Sequence, residues 1–378
     1  MLQNNNTSVL VGTDACAPAL HVMEELLKVV QQLSATHDLQ AVMDIVRHSV
    51  RELTGSDGAT FVLRDGEFCY YAEEDAITPL WKGLRFPMEI CISGWVMRNR
   101  QPTIIEDIYH DDRIPIDVYR KTFVRSLAMV PIKTNDPIGA IGCYWSKVCQ
   151  PTAEQVQVLH VLADTAAIAM DNIGYQESIA SQARQLEEAI DGTLLTVAKM
   201  VELKDPYTSG HQRRVGILSY DMACELGWDK KRCEMLRRAA IVHDIGKIGI
   251  PGELLTKPSK LTPQEFGLIQ THAAMSYDIL KDVNFLMPIA KIILQHHERL
   301  NGSGYPHGLT GEQILPEAKI IAVADVFEAM TSHRPYRPAP GMDAALEELL
   351  RNKGVLYDSV VVDALVRLVK EKNYCLPE

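Results

Sequence analysis

A chain of 378 residues, 47% apolar and 23% charged, has the composition of a soluble globular protein and the length for two domains, each with its own core. A formal net charge of −11 excludes a nonspecific nucleic-acid binder, so a phosphate ligand has to meet a local cluster of Arg or Lys. No run of about 18 apolar residues occurs, and Met1 to Thr7 lack the basic start and apolar core of an export signal, so the expectation is a cytoplasmic protein without a membrane span.

Residues 1–17 read as a disordered start. Apolar residues at helical spacing predict helices over 18–33 and 38–53, with Gly55 placed to end the second. The period then changes. Ala59 to Leu63 and Phe68 to Tyr71 flank Arg64-Asp65-Gly66-Glu67, a strong hairpin signal, and a second hairpin is predicted from Leu127–Ile132 and Ile138–Trp145. A long excursion, 75–125, lies between them and is free to cover one face of the sheet. The first domain, 18–154, is therefore expected to be α+β, an antiparallel sheet with flanking helices.

This half resembles a GAF domain, a small-molecule sensor module, in its order of elements. The segments Leu53-Thr-Gly-Ser-Asp-Gly-Ala-Thr60, Ile92-Ser-Gly-Trp95, Met129-Val-Pro-Ile132 and Ile138-Gly-Ala-Ile-Gly142 carry the resemblance. It implies an unidentified small-molecule ligand or signal. Trp81, Trp95, Cys91 and Tyr144 can line a pocket, the alternative being core or dimer contact. The eight cysteines are scattered without a Cys-x-x-Cys pair, which points to reduced thiols.

From 155 to 201 the helical period scarcely breaks. Leu159, Leu162, Ala166, Ala169 and Ile173 follow it and, after a phase slip, so do Ile179, Ala183, Leu186, Ile190, Leu194, Val197 and Val201. The stretch predicts a long connecting helix and a homodimer through its apolar seam. Two separate amphipathic helices are the alternative.

The remaining segment, 202–378, is predicted to be an all-α bundle. His and Asp interrupt its helices where a core would be apolar: His211, His243-Asp244, His272, His296-His297 and Asp325. Thr262-Pro-Gln-Glu265 is a capping box that starts the helix leading to His272. Imidazole and carboxylate together are ligands for iron, manganese or zinc, and the lack of cysteine among them speaks against a structural zinc site.

His211, His243-Asp244 and Asp325 resemble the H…HD…D pattern of the HD phosphohydrolase superfamily. His272, His296-His297 and Gly304-Tyr305-Pro306 resemble its HD-GYP subgroup, whose members hydrolyse cyclic dinucleotides, chiefly cyclic di-GMP. The resemblance implies an HD-type helical bundle with two divalent metal ions, iron or manganese favoured. One ion falls to His211, His243, Asp244 and Asp325, the other to Asp244, His272, His296 and His297, with Asp244 shared. A hydroxide bridging the pair would attack the phosphodiester, giving the linear dinucleotide and then GMP. Lys247 is placed to meet the phosphate, and Arg334 and Arg337, in Arg334-Pro-Tyr-Arg337, resemble the phosphate-contacting segment. Tyr305 borders the base.

Two positions depart from the subgroup pattern. Asn301 stands where aspartate is usual, which puts a loop contact in doubt. Tyr207 stands where some members carry a glutamate for a third metal. A neutral phenol is a poor ligand for divalent iron or manganese, and Asp205 would point elsewhere on a helix, so two metals are expected. The competing readings are a nonhydrolytic cyclic-dinucleotide receptor and a nucleotide phosphohydrolase of the wider HD superfamily.

Overall fold

The computed structural model of the chain describes residues 16–205, 209–332, 339–372 and 374. Two helices, α1 (Cys16–Ser34) and α2 (Leu39–Thr54), lead into the hairpin β1 (Gly58–Asp65) and β2 (Phe68–Ala76). The Asp38 carboxylate starts α2 by accepting from the Ala41 N–H at 3.1 Å. The excursion then forms β3 (Arg85–Pro87), α3 (Ile92–Asn99), β4 (Thr103–Ile105) and α4 (Ile116–Tyr119). A second hairpin, β5 (Ser126–Ile132) and β6 (Gly139–Trp145), completes a six-stranded sheet in the order β3-β2-β1-β6-β5-β4, antiparallel throughout.

Period-two alternation sorts the strand residues between two cores. Phe61, Val130, Ile132, Ile141 and Cys143 pack with α1, α2 and the residues that follow β6. Val62, Leu127, Met129, Ala140 and Tyr144 pack under the excursion, with Trp81, Met88, Ile92, Ile108 and Tyr119. Both faces are covered. Every residue of β5 and β6 is buried, which is why these strands read as near-continuous apolar runs. Trp81, Cys91 and Tyr144 are core residues here. The Trp81 ring packs edge-on against those of Tyr119 and Tyr144 at 4.8 and 5.6 Å, and Cys91 caps α3. Trp95 is half-buried, with the Arg113 guanidinium 4.5 Å from its ring.

One helix, α5 (Ala153–Lys204), runs 52 residues without a break, through Gly174 and Gly192. Its apolar residues do not form one seam. Leu159, Leu162, Ala166 and Ala169 are buried in the first unit's core, and Ala198 and Val201 in the second's, so the residues expected to pair between copies are used up at both ends. Between them Tyr175, Ile179 and Leu186 remain exposed.

The chain divides into two compact units between Gln182 and Ala183. The second is helical: α6 (His211–Glu225), α7 (Lys230–Ile241), a 3-10 turn (Ile245–Gly249), α8 (Gly252–Leu255), α9 (Pro263–Gln270), α10 (His272–Leu280), α11 (Ile289–Leu294), α12 (Pro316–Thr331), α13 (Met342–Arg351) and α14 (Ser359–Glu371). Leu218, Leu236, Ile292, Ile321, Phe327 and Leu365 are among the residues of its single core. The capping box at Thr262 is present, with Glu265 accepting from the Thr262 N–H at 2.8 Å. Two helix boundaries differ from the sequence reading. The helix α7 ends at Ile241, so His243-Asp244 lies on the tight turn after it. The helix from Pro263 breaks at Thr271, whose hydroxyl bonds the Leu268 carbonyl at 2.6 Å, and His272 opens a new helix.

Candidate metal centre

Helix ends and one helix interior deliver the ligand-type side chains to one place. His211 opens α6, His243 and Asp244 follow α7, His272 opens α10, His296 and His297 follow α11, and Asp325 projects from the middle of α12. Residues just beyond a helix end combine a fixed backbone with freedom from the helical period, so several of them can converge. Two groups of ligand atoms result, His211 with His243 and Asp244, and Asp244 with His272, His296 and His297. Asp244 belongs to both. Its Oδ2 lies 3.4 Å from His243 Nε2 and its Oδ1 lies 3.2 Å from His272 Nε2. Asp325 Oδ1 lies 3.3 Å from His211 Nε2 and 4.0 Å from His243 Nε2.

The Nδ1 atoms decide which nitrogen is free. His243 Nδ1 donates to the Ala240 carbonyl at 2.7 Å, His272 Nδ1 to the Ile269 carbonyl at 2.7 Å, and His296 Nδ1 to the Ile293 carbonyl. A carbonyl only accepts, so each Nδ1 carries the hydrogen and each Nε2 presents a lone pair to the cluster. His211 Nδ1 pairs with the Glu328 carboxylate instead, which turns its Nε2 toward the cluster and Asp325. Asp244 Oδ1, His272 Nε2 and His296 Nε2 are buried with no hydrogen-bond partner among the described residues. Buried acceptors aimed at one another are costly unless a cation lies between them, so this donor set fits divalent metal ions.

The charge states of Asp244, Asp325, His243 and His297 agree with that fit. Burial alone would raise Asp244, but Lys247 and His243 outweigh it and hold the carboxyl well below the usual carboxylate range. Burial likewise opposes His211 at Asp325 and loses. It lowers His243, and it takes His297 down to about 3. His211 behaves differently: despite burial, the hydrogen bonds to Asp325 and Glu328 raise it to about 9.

Lys247 stands at the rim on the 3-10 turn, its Nζ 2.6 Å from Asp244 Oδ2 and 3.6 Å from Asp205 Oδ2. Gly246, just before it, lets α10 approach: a Cβ there would sit 2.1 Å from the His272 carbonyl oxygen. Ser276 fastens the same contact, accepting from the Gly246 N–H at 2.8 Å and donating to the His243 carbonyl at 3.1 Å.

Family comparisons agree with this geometry. A GAF-domain family model matches residues 36–171, and an HD-domain family model matches residues 196–361. The chain carries a GAF domain followed by an HD domain. The chain is 38% identical over 212 residues to the cyclic di-GMP phosphodiesterase response regulator RpfG of Xanthomonas campestris, covering 56% of each chain. It is 40% identical over 189 residues to a cyclic di-GMP phosphodiesterase of Thermotoga maritima, covering 50% of this chain and 51% of that one. It is also 39% identical over 175 residues to the 3'3'-cGAMP-specific phosphodiesterase 3 of Vibrio cholerae, covering 46% and 37%. The chain spans about half the length of the curated relatives it matches.

In the HD domain, Tyr305 lies beside the histidines, its ring 4.7 Å from that of His297 and 6.3 Å from that of His272. Glu298 holds the loop that carries it. This carboxylate is buried and accepts from the His307 and Leu309 N–H groups at 2.8 and 2.9 Å. Gly304 allows the loop to fold back, since a Cβ would meet the Glu298 Cα at 2.4 Å. Asn301 is exposed, and its Oδ1 accepts from the Ser303 N–H and hydroxyl at 3.1 and 2.7 Å. An aspartate could accept the same two bonds, so this substitution leaves the turn its acceptor.

Sequence reasoning passed over Glu328, Glu298 and Ser276. Glu328 was detectable as a carboxylate one turn after Asp325 on the same helix face. Glu298 directly follows His296-His297. No local signal marks Ser276. Arg334, Arg337 and Tyr207 lie outside the described residues.

Proposed function

We propose that the protein is a metal-dependent phosphodiesterase that hydrolyses a cyclic dinucleotide, cyclic di-GMP above others, to the linear dinucleotide and onward to GMP. The observation that carries this is the shared carboxylate of Asp244 between two sets of inward-facing Nε2 lone pairs. The names of the relatives, cyclic di-GMP and 3'3'-cGAMP phosphodiesterases, support the substrate class. In this reading His211, His243, Asp244 and Asp325 hold one cation and Asp244, His272, His296 and His297 the other. Mixed imidazole and carboxylate ligands favour iron or manganese. A pair of such ions supplies Lewis acidity toward a phosphodiester and lowers the pKa of water, so no side-chain base is required.

The chain's own residues bind and orient. Lys247 stays charged because Asp244 and Asp205 outweigh its burial, and its ammonium donates to a phosphate oxygen as charge grows there. Tyr305 offers a ring to a base at the edge of the histidine cluster. Arg334 and Arg337 supply the bidentate phosphate contacts. The GAF domain regulates the reaction through α5, and a second copy pairs along that helix. Free thiols at Cys69, Cys91, Cys143, Cys149, Cys224 and Cys233 support a reducing, cytoplasmic setting.

Incubating protein purified without oxygen and loaded with Fe²⁺ or Mn²⁺ with cyclic di-GMP, 3'3'-cGAMP, the linear dinucleotide and dGTP tests the reading. Hydrolysis of a cyclic dinucleotide is expected. Tight binding without turnover would replace the enzyme by a receptor, and turnover of dGTP alone would move it to the nucleotide phosphohydrolases.

A further inference from the structure

His211 is oriented differently from its neighbours. His243, His272 and His296 give the Nδ1 hydrogen to a carbonyl of their own turn, whereas His211 gives it to a carboxylate 117 residues away, Glu328. A single face of α12 thereby places Asp325 against Nε2 and Glu328 against Nδ1 of one ring. Glu328 is 1% exposed, and it is fully bonded. Its other oxygen accepts from Arg214 Nε and from the Ser332 hydroxyl, both at 2.7 Å. Arg214 sits on α6 three residues after His211, so α6 and α12 close the arrangement between them.

A neutral acceptor is enough to fix a tautomer, as the three backbone carbonyls demonstrate. What Glu328 adds is negative charge, at the expense of burying a carboxylate together with its guanidinium. The two candidate cation positions then differ. The His211 side is faced by Asp325, shares Asp244 and has Glu328 behind its imidazole. The other side has His272, His296 and His297 around the shared Asp244, and among the described residues no other carboxylate is bonded to those rings.

We infer that Glu328 is a positioning residue that strengthens cation binding at the His211 side and makes the two positions unequal, the His211 side filling first. The inference rests on the metal-pair reading proposed above. It is tested by stripping the full-length protein with a chelator and titrating Mn²⁺, with free ion read by electron paramagnetic resonance. Wild type is expected to bind in two steps. Glu328→Gln retains an oxygen for Nδ1 but loses the charge, and is expected to weaken the tighter step about 10- to 100-fold while leaving the second unchanged. Glu328→Asp, which restores the charge, is expected to recover most of the loss. If circular dichroism shows that Glu328→Gln does not fold, Arg214→Met tests the same charge from the other side, and a tighter first step is expected. Two wild-type steps that these variants leave as they are, or that weaken equally, would overturn the role of Glu328 alone. A wild type that binds two ions in a single step would overturn the inequality, and one that binds fewer than two would overturn the metal-pair reading as well.

Discussion

Asp244 is the only described residue common to both ligand groups, so its charge acts on both candidate cations at once. Asp244→Asn keeps the shape but removes the negative charge that both candidate cations share, leaving a neutral amide with a single ligand oxygen. Hydrolysis should fall below detection, and elemental analysis should find well under the wild-type metal content. Full turnover would show that Asp244 does not join two metals. Lys247 acts in a different way. Its ammonium touches Asp244 but is not itself a ligand, so Lys247→Ala should retain the metal while kcat falls on the order of a hundredfold, the scale of losing one preorganised donor. An unchanged kcat would make Lys247 only a counter-charge to Asp205 and Asp244.

At the scale of elements, the C-terminal part of α5 is fastened to α7 by charge as well as by apolar contact. Asp191 accepts from Arg238 Nε at 2.7 Å and also pairs with Arg237. Burial raises the Asp191 pKa, but the two guanidiniums outweigh it and leave it below the usual aspartate value. A depressed folded-state pKa contributes stability that is fully present above the unfolded value and is lost as pH falls through the folded one. Asp191→Asn should therefore destabilise the helical unit by about 1 to 2 kcal/mol near pH 7, and by less near pH 3. Denaturant unfolding at the two pH values measures the difference. An equal loss at both would assign the effect to packing.

For the whole molecule, the exposed stripe on α5 is the feature that calls for a partner. Ile168, Tyr175, Ile179, Leu186 and Ile190 are spaced seven, four, seven and four residues apart and are 62%, 66%, 66%, 63% and 39% exposed. That spacing keeps them on one side of a helix that supercoils with another, and pairing with a second copy would remove them from water. Replacing both Leu186 and Ile190 with Glu should halve the mass measured by light scattering and uncouple any GAF ligand from hydrolysis. A mass equal to that of wild type would locate self-association elsewhere, or show that there is none. The described residues contain no helix long and apolar enough to cross a membrane.

The chemistry of the candidate site was legible in the sequence because it depends on residue type. Imidazoles and carboxylates interrupting apolar helices stand out without knowledge of the fold, and so do hairpins, whose turn and period are local. The antiparallel sheet followed by a long helix and a helical bundle follows from the same short-range rules. What α5 does with its apolar residues was not legible. Leu159 and Ile179 satisfy the same helical spacing, yet one is buried in a core and the other is 66% exposed, because periodicity defines a face and not what lies opposite it. Helix ends shifted for a similar reason. Apolar run length places His243 inside a helix, whereas the tertiary site needs it on the turn beyond Ile241. The closeness that requires Gly246 and the carboxylate behind His211 were decided only by the tertiary structure. Each depends on a partner from another element, His272 for Gly246 and Glu328 for His211, and no local pattern records a contact between elements that lie apart in the chain.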